Sequence, residues 1–397
     1  MELALAERSK LIAPSATLAM AGEAKALKTR GVEVFDFALG EPDFDTPENI
    51  QKAAFEAIRL GKTHYTPPTG IPELRKAIAE LYSKKHALQT EPEQVVVSNG
   101  AKQSLHNALM ALCGPGDEVI IPAPYWVSYA DLVKLTGAEP IIIETTEEVG
   151  FKLSPERFLK AVTPRSKLIM LNSPSNPTGV VYERRELEAL ADAVLKTNVG
   201  VLSDEIYEQL LYDDAKATCF ATLRPGLEER TITVSGVSKT YAMTGWRIGW
   251  TVAPKSVSKF MGDLQSQETS NPCSVSQWAA LEAVQGPQDA VAKMLGEFRR
   301  RRSYVLDRVR DLPDVTCVPP GGAFYAFMNV SKHFGRTLGG KPIKDSTSFC
   351  LTALAQAHVA LVMGSAFGAE GYARLSFATD LKTLERGFDA LAKFLEG

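Results

Sequence analysis

Lys239 stands just past an apolar run at residues 231–234, in the stretch Ser235-Gly-Val-Ser-Lys-Thr-Tyr-Ala-Met-Thr-Gly-Trp-Arg-Ile-Gly249, with Arg247 eight positions further on. A free lysine amine ionises near a pH of about 10.4 and is a poor nucleophile at neutrality. Joined as an imine to an aldehyde, the same nitrogen becomes a reaction centre. An arginine close by is a planar, permanently charged fork for an anionic group. A cofactor that combines an aldehyde with an anion is pyridoxal phosphate, and this layout suits it. A lysine in such a loop is, by itself, more often simply solvated, so the reading depends on its company.

Five other segments supply that company. Ser98-Asn-Gly-Ala-Lys102 follows an apolar run and opens a helical pattern; free amides at a helix start attract phosphate, and Gly100 allows close approach. In Asn172-Ser-Pro-Ser-Asn-Pro-Thr-Gly179 two Asn-containing turns with rigid prolines would hold Asn176 so that it donates to a phenolic oxygen, although turn chemistry alone accounts for the pattern. Ser203-Asp-Glu-Ile-Tyr207 ends an apolar run. Asp204 there can keep a pyridine nitrogen protonated, with Tyr207 reaching the other edge of the ring, or it can merely cap the next helix. Trp126, after Pro-Ala-Pro-Tyr125, is placed to stack on a ring or to fill a core. Arg374 lies inside a strand-like alternation and needs a partner, which is either a substrate carboxylate or an internal acid.

These residues need a frame. Strand candidates fall at 94–97, 118–121, 140–143, 167–171, 199–202, 231–234 and 248–252, with amphipathic stretches such as 101–112 and 184–195 between them. Such alternation predicts an α/β fold with a mostly parallel, seven-stranded sheet flanked by helices. Ligands of such sheets sit beyond the carboxyl ends of the strands, where most of the motifs above fall. After residue 286 the pattern changes to a long helical stretch at about 288–311, then Pro319-Pro-Gly-Gly-Ala-Phe-Tyr325, more helix and two short strand candidates. A large cofactor-binding domain at 46–286 and a smaller α+β domain made of 1–45 and 287–397 are expected. The Gly- and Lys-rich segment 335–345 is the expected mobile loop.

Bulk properties narrow the function. The chain has 397 residues, 45% hydrophobic and 23% charged, with a formal net charge of −3. That balance gives no footprint for nucleic acid; the basic run at residues 299–302 reads as a solvated helix face. Five scattered cysteines without CxxC spacing argue for reduced thiols in a cytoplasmic setting. The first ten residues do not form a signal peptide, and no stretch of eighteen apolar residues offers a membrane span. Gly61-Lys-Thr63 is not a P-loop, because Glu56 occupies the position of its first glycine, and the five histidines show no metal-site spacing.

Taken together the motifs resemble the class I and II aminotransferases, fold-type I pyridoxal-phosphate enzymes, and within them the prokaryotic-type aspartate aminotransferases. Gly40-Glu-Pro-Asp-Phe-Asp-Thr-Pro47, Tyr65-Thr-Pro-Pro-Thr-Gly-Ile-Pro72, Gly100-Ala-Lys-Gln103, Pro124-Tyr-Trp-Val-Ser-Tyr129, 172–179, 203–207, 238–249 and 374–379 occur in family order over nearly the whole chain. The resemblance implies that Lys239 forms the internal aldimine and shuttles a proton. It gives Asp204 to the pyridine nitrogen, Asn176 and Tyr207 to the ring oxygen, and Trp126 to the ring face. Gly100, Ala101, Ser238 and Arg247 would grip the phosphate, with Lys102 in the same helix. Tyr65 and Ser270 would come from the other subunit of a homodimer with shared sites. Gly40 and Arg374 would take the substrate's carboxylate, beside Trp126 and Asn176.

The implied reaction moves an amino group between L-aspartate, or a related amino acid, and 2-oxoglutarate. The stretch 261–272 lacks the arginine that other aspartate aminotransferases use for the distal carboxylate. In the resembling subgroup a lysine at the position of Lys102 supplies that charge, and Ser15 and Thr17 would line the side-chain pocket. Ala13 departs from the basic residue of some relatives that accept prephenate, which speaks against that substrate. An aromatic, prephenate or other broad-specificity aminotransferase is the alternative. A sensor domain of a transcription regulator would need a DNA-binding module, for which the roughly forty residues before the first motif leave no room.

Overall fold

The computed structural model describes residues 3–397. Among them, one sheet is built from Val95–Ser98 (β1), Glu118–Ala123 (β2), Glu139–Glu144 (β3), Ser166–Asn172 (β4), Gly200–Asp204 (β5), Thr231–Gly236 (β6) and Gly249–Val252 (β7). Its order is β1-β7-β6-β5-β4-β2-β3. All pairings are parallel except those of β7, which runs antiparallel to β1 and β6. All seven strand candidates are present, each shifted by two residues at most.

The strands read as unbroken apolar runs because both faces are covered. Val119, Ile121, Leu168 and Met170 point to one side, where they pack with Leu105, Leu109 and Met261 from the helices Ala101–Leu112 and Lys255–Glu268. Ile120, Ile169, Leu171 and Val201 point to the other side and meet Phe158, Leu187 and Leu190 from Pro155–Ala161 and Arg184–Val194. The edge strand β3 begins and ends on exposed Glu139 and Glu144; charge at an edge discourages further pairing.

Beyond residue 286 the chain forms the long helix Asp289–Asp311 and a second, antiparallel sheet. Its strands are Thr316–Cys317 (β8), Tyr325–Asn329 (β9), Val362–Met363 (β10) and Tyr372–Ser376 (β11), in the order β10-β11-β9-β8. Phe35–Asp36 pairs in parallel with Val359–Ala360, which ties an early segment of the chain to this part. Two strands were expected here and more are found, because pieces of two residues are too short for alternation to register in a sequence. The segment 335–345 carries a small hairpin, Thr337–Leu338 with Lys341–Pro342, and Asp345 caps the helix Ser346–Ala357. Among the described residues no helix is long and apolar enough to cross a membrane, and no group of three His, Cys, Asp or Glu is placed to hold a metal.

Candidate active site

At the carboxyl ends of the parallel strands, where they face the second sheet, lies a cavity of about 410 Å³. β1 ends two residues before Gly100, which has φ +80° and starts the helix Ala101–Leu112 without a side-chain cap. The first amides of that helix therefore stay free. A Cβ at Gly100 would lie 2.5 Å from Arg247 Nη2, so only glycine admits the guanidinium at this point. Arg247 precedes β7, and its Nη1 donates to the Thr244 carbonyl at 2.9 Å. Ser238, buried just past β6, faces the same cavity, as do Ala101 and Arg247. Helix amides, a hydroxyl and a guanidinium converging this way are a donor set suited to a phosphate dianion.

Asp204 closes β5 and is buried. Tyr129 Oη donates to its Oδ2 at 2.6 Å, and the Ile206 amide donates to Oδ1 at 3.3 Å. Burial pushes the Asp204 carboxyl up to about 6, while the Tyr129 hydroxyl, the Ile206 amide and the nearby Lys239 charge hold it down. The Asn172 amide pins this strand end by donating to Asp204 O at 2.9 Å, and Asn172 Oδ1 accepts from the Asn176 amide at 2.8 Å. Removing the phenol in Tyr129→Phe takes away a bond that favours the ionised form. The Asp204 carboxyl of the cofactor-free protein should then titrate about 1 pH unit higher, read by NMR of carbon-labelled aspartate side chains. An unmoved titration would remove Tyr129 from this role.

Lys239 Nζ donates to Gly40 O at 2.6 Å. Burial lowers its pKa to about 8, Arg247 and Arg374 push in the same direction, and Glu41 and Asp204 oppose them. Near neutrality an amine so placed exchanges its proton readily and is available as a nucleophile.

Arg374, on β11, is 1% exposed. Its Nη1 donates to Asn176 Oδ1 at 3.0 Å and its Nη2 to Ala38 O at 2.5 Å. The guanidinium lies 4.5 Å from the Tyr325 ring centroid and 5.1 Å from that of Phe367. Its buried Nε has no hydrogen-bond partner, and among the described residues no carboxylate comes within ion-pair distance of it. The internal salt bridge that would have explained this arginine is therefore not made. A desolvated cation without a counter-ion favours an anionic ligand. Tyr325 Oη lies 2.8 Å from Tyr207 Oη, and a Cβ at Gly40 would fall 2.6 Å from Tyr325 Oη, so Gly40 must lack a side chain.

Trp126 meets Tyr129 edge-on, with ring centroids 5.6 Å apart, and Lys102 Nζ lies 4.8 Å from the Trp126 ring centroid. Among the described residues Lys102 makes no ion pair; burial and the Arg247 charge lower its pKa. Ser15 and Thr17, at the start of the helix Ala16–Thr29, complete the wall. Of the residues singled out in the sequence, thirteen line this one cavity: Ser15, Thr17, Gly40, Ala101, Lys102, Trp126, Asn176, Asp204, Tyr207, Ser238, Lys239, Arg247 and Arg374. Gly100 stands behind Arg247. Tyr65, 91% exposed, and Ser270 lie outside the cavity of their own chain. Sequence reasoning missed Tyr129, Tyr325, Glu41 and Thr244 as wall residues. Tyr129 and Tyr325 lay inside quoted motifs, but nothing in their spacing set them apart from core aromatics.

A buried lysine, a buried carboxylate at a strand end, free helix amides beside a guanidinium and a buried arginine without an acid line one cavity, a set that suits an aldehyde cofactor bearing an anion; comparison with known proteins gives the family. A family model described as aminotransferase class I and II matches residues 32–391. The chain belongs to the class I and II aminotransferases, whose cofactor is pyridoxal phosphate. It is 46% identical over 388 residues to the aspartate/prephenate aminotransferase of Cereibacter sphaeroides, covering 97% of each chain. With the aspartate aminotransferase of Geobacillus stearothermophilus it shares 44% over 392 residues, 99% of each chain. The crystal structure of the Rhizobium meliloti aspartate aminotransferase superposes with a TM-score of 0.96 at 42% identity, covering 100% of this chain and 99% of that one. The Thermus thermophilus aspartate aminotransferase with maleate gives 0.93 at 41%, covering 99% and 100%. The expected family, its aspartate aminotransferase subgroup and the fold are borne out.

Proposed function

We propose that the chain transfers the amino group of L-aspartate to 2-oxoglutarate. The observation that carries this is the charge of the cavity. Among the described residues Lys102, Lys239, Arg247 and Arg374 line it against Asp204 and Glu41, and neither Arg374 nor Lys102 has an internal counter-ion. With Arg247 given to the cofactor's phosphate, Arg374 and Lys102 remain as two cations, each suited to one carboxylate of a dicarboxylic substrate. The Thermus relative whose structure contains maleate, a four-carbon dicarboxylate, supports the same choice.

Pyridoxal phosphate, when bound, supplies an aldehyde that condenses with amines and a ring that draws electrons from the substrate's Cα. Gly100, Ala101, Ser238 and Arg247 would hold its phosphate, and Asp204 would keep its ring nitrogen protonated. Asn176 and Tyr207 would hold the ring oxygen, with Trp126 beside the ring. Arg374, with Gly40 beside it, orients the substrate by the α-carboxylate, so that the Cα–H bond and not the Cα–carboxylate bond is set to break. Lys239 Nζ takes that proton as general base and returns it as general acid. Lys102 meets the distal carboxylate, with Ser15 and Thr17 alongside.

A panel of amino donors with 2-oxoglutarate tests the substrate: aspartate should exceed phenylalanine and alanine, and a better rate with phenylalanine would sink the assignment. Lys102→Ala should lower kcat/KM for aspartate by about 10- to 100-fold and for alanine by less than about threefold. Equal losses would take Lys102 out of the side-chain pocket. The exposed apolar Leu18 and Leu39 on the cavity wall, and the relative named for both aspartate and prephenate, favour a second reading with a bulkier substrate, which the same panel separates.

The exposure of Tyr65, together with exposed Phe55, Ile58 and Leu60 nearby in the chain, supports a homodimer in which Tyr65 and Ser270 complete the partner's site. Five free cysteines fit a reducing, cytoplasmic setting. Residues 46–286 and the pair 1–45 with 287–397 act as two bodies in this reading, joined along the cavity by Ile206 and Tyr207, which pack with the second sheet's core.

A further inference from the structure

The segment that borders the cavity from the N-terminal side is held at three points within four residues. Ala38 O accepts from Arg374 Nη2 at 2.5 Å, Gly40 O accepts from Lys239 Nζ at 2.6 Å, and Glu41 Oε2 accepts from Thr244 Oγ1 at 2.8 Å. Slightly further on, Thr46 Oγ1 donates to Ala242 O at 2.8 Å and accepts from Trp246 Nε1 at 2.9 Å. Three of these five bonds therefore land on the loop 242–247. Only Glu41 among the first three contributes a charged side chain. The Thr244 carbonyl in turn receives Arg247 Nη1 at 2.9 Å, so a single residue connects the Glu41 carboxylate to the Arg247 guanidinium. Arg247 has φ +55°, a conformation that a residue other than glycine keeps only where its surroundings impose it.

The geometry points to Glu41 as a positioning residue for the proposed reaction: through Thr244 it holds the loop that aims Arg247, and it sets an anionic charge on the cavity wall next to Gly40, whose carbonyl receives Lys239 Nζ. This rests on the roles proposed above for Lys239 and Arg247. Four charged groups act on that nitrogen. Glu41 and Asp204 favour its protonation, while Arg247 and Arg374 work against it, together with burial. Asp204 is engaged by Tyr129 and closes the floor of the cavity, whereas Glu41 sits at its exposed rim. A group that must release and regain a proton in each cycle works best when the two forms are nearly balanced at the working pH. Glu41 offsets part of what burial and two guanidiniums take from that balance.

The test uses purified protein loaded with pyridoxal phosphate, compared with Glu41→Gln, Glu41→Ala and Thr244→Val. Visible absorbance is titrated against pH, and cofactor affinity is measured by equilibrium dialysis. Glu41→Gln keeps an acceptor for Thr244 and loses the charge; its midpoint should fall by about 0.5 to 1 pH unit, with affinity within about twofold. Glu41→Ala should lower the midpoint equally and also weaken cofactor binding by about 3- to 10-fold, a loss shared by Thr244→Val. A midpoint unchanged in both Glu41 variants, or an affinity unchanged in both Glu41→Ala and Thr244→Val, overturns the proposal. A merely structural Glu41 would leave the midpoint of Glu41→Gln where it stands in the unaltered protein. If the unaltered protein takes up no cofactor, or its absorbance ignores pH, the roles given to Lys239 and Arg247 fall instead, so the two failures are distinguishable.

Discussion

Replacing Lys239 by alanine should lower transamination at least about 10⁴-fold, with every donor alike. General acid–base catalysis by a positioned group contributes roughly 10²- to 10⁴-fold, and loss of the covalent tether to the cofactor adds to that. No nearby group can substitute. Among the cations lining the cavity, Arg247 and Arg374 do not release protons at working pH, and Lys102 is turned over the Trp126 ring. Cofactor affinity should fall far less than turnover, because the phosphate cradle stays intact. Two measurements check the prediction. Steady-state rates give the size of the loss. Borohydride treatment followed by peptide mass spectrometry should leave a pyridoxyl tag on residue 239 of the unaltered protein and none on the variant. A tag on another residue of the unaltered protein would refute the assignment.

The second large effect belongs to Arg374. Arg374→Leu keeps much of the volume and removes the guanidinium that is 1% exposed and lacks an acidic partner. We expect kcat/KM to fall by about 10²- to 10⁴-fold for aspartate and alanine together, because both present the same α-carboxylate to a desolvated bidentate donor. Stability should respond differently. The change strips donors from Asn176 Oδ1 and Ala38 O, which costs roughly 1–3 kcal/mol for each acceptor left buried. It also removes an uncompensated buried charge, which is a gain of the opposite sign. The melting temperature without substrate should therefore move little. A large fall in melting temperature with kcat/KM nearly preserved would mean that Arg374 is a structural brace. Arg374→Lys keeps the charge and loses the fork, so it should recover only a small part of the rate.

The sequence exposed some parts of this molecule far better than others. The seven strands of the large sheet were readable because each is an apolar run, covered on both faces and bounded by turn residues. The chemistry-bearing residues follow those strands directly, as Asp204 follows Val201 and Leu202 on β5. The second sheet was readable only in part, because Thr316–Cys317 and Val362–Met363 are pairs whose strand character comes only from the neighbour they meet. Contacts between distant residues were equally hidden. The Tyr129–Asp204 bond spans 75 positions and the Tyr207–Tyr325 pair 118. An aromatic residue destined for such a contact looks, in sequence, like any other core aromatic. The same holds for Glu41, an exposed acid whose partner Thr244 lies 203 positions away.

The bond from Arg374 to the Ala38 carbonyl joins residues 336 positions apart. During synthesis, the groups proposed to cradle phosphate are all translated by residue 247, more than a hundred codons before the arginine proposed to grip the amino acid. A nascent or prematurely terminated polypeptide of intermediate length would thus hold the side chains proposed to grip vitamin B6 and lack the one guanidinium proposed for the amino acid's α-carboxylate. What it would lack is the fixed point from which the choice among the bonds at the amino acid's central carbon is made.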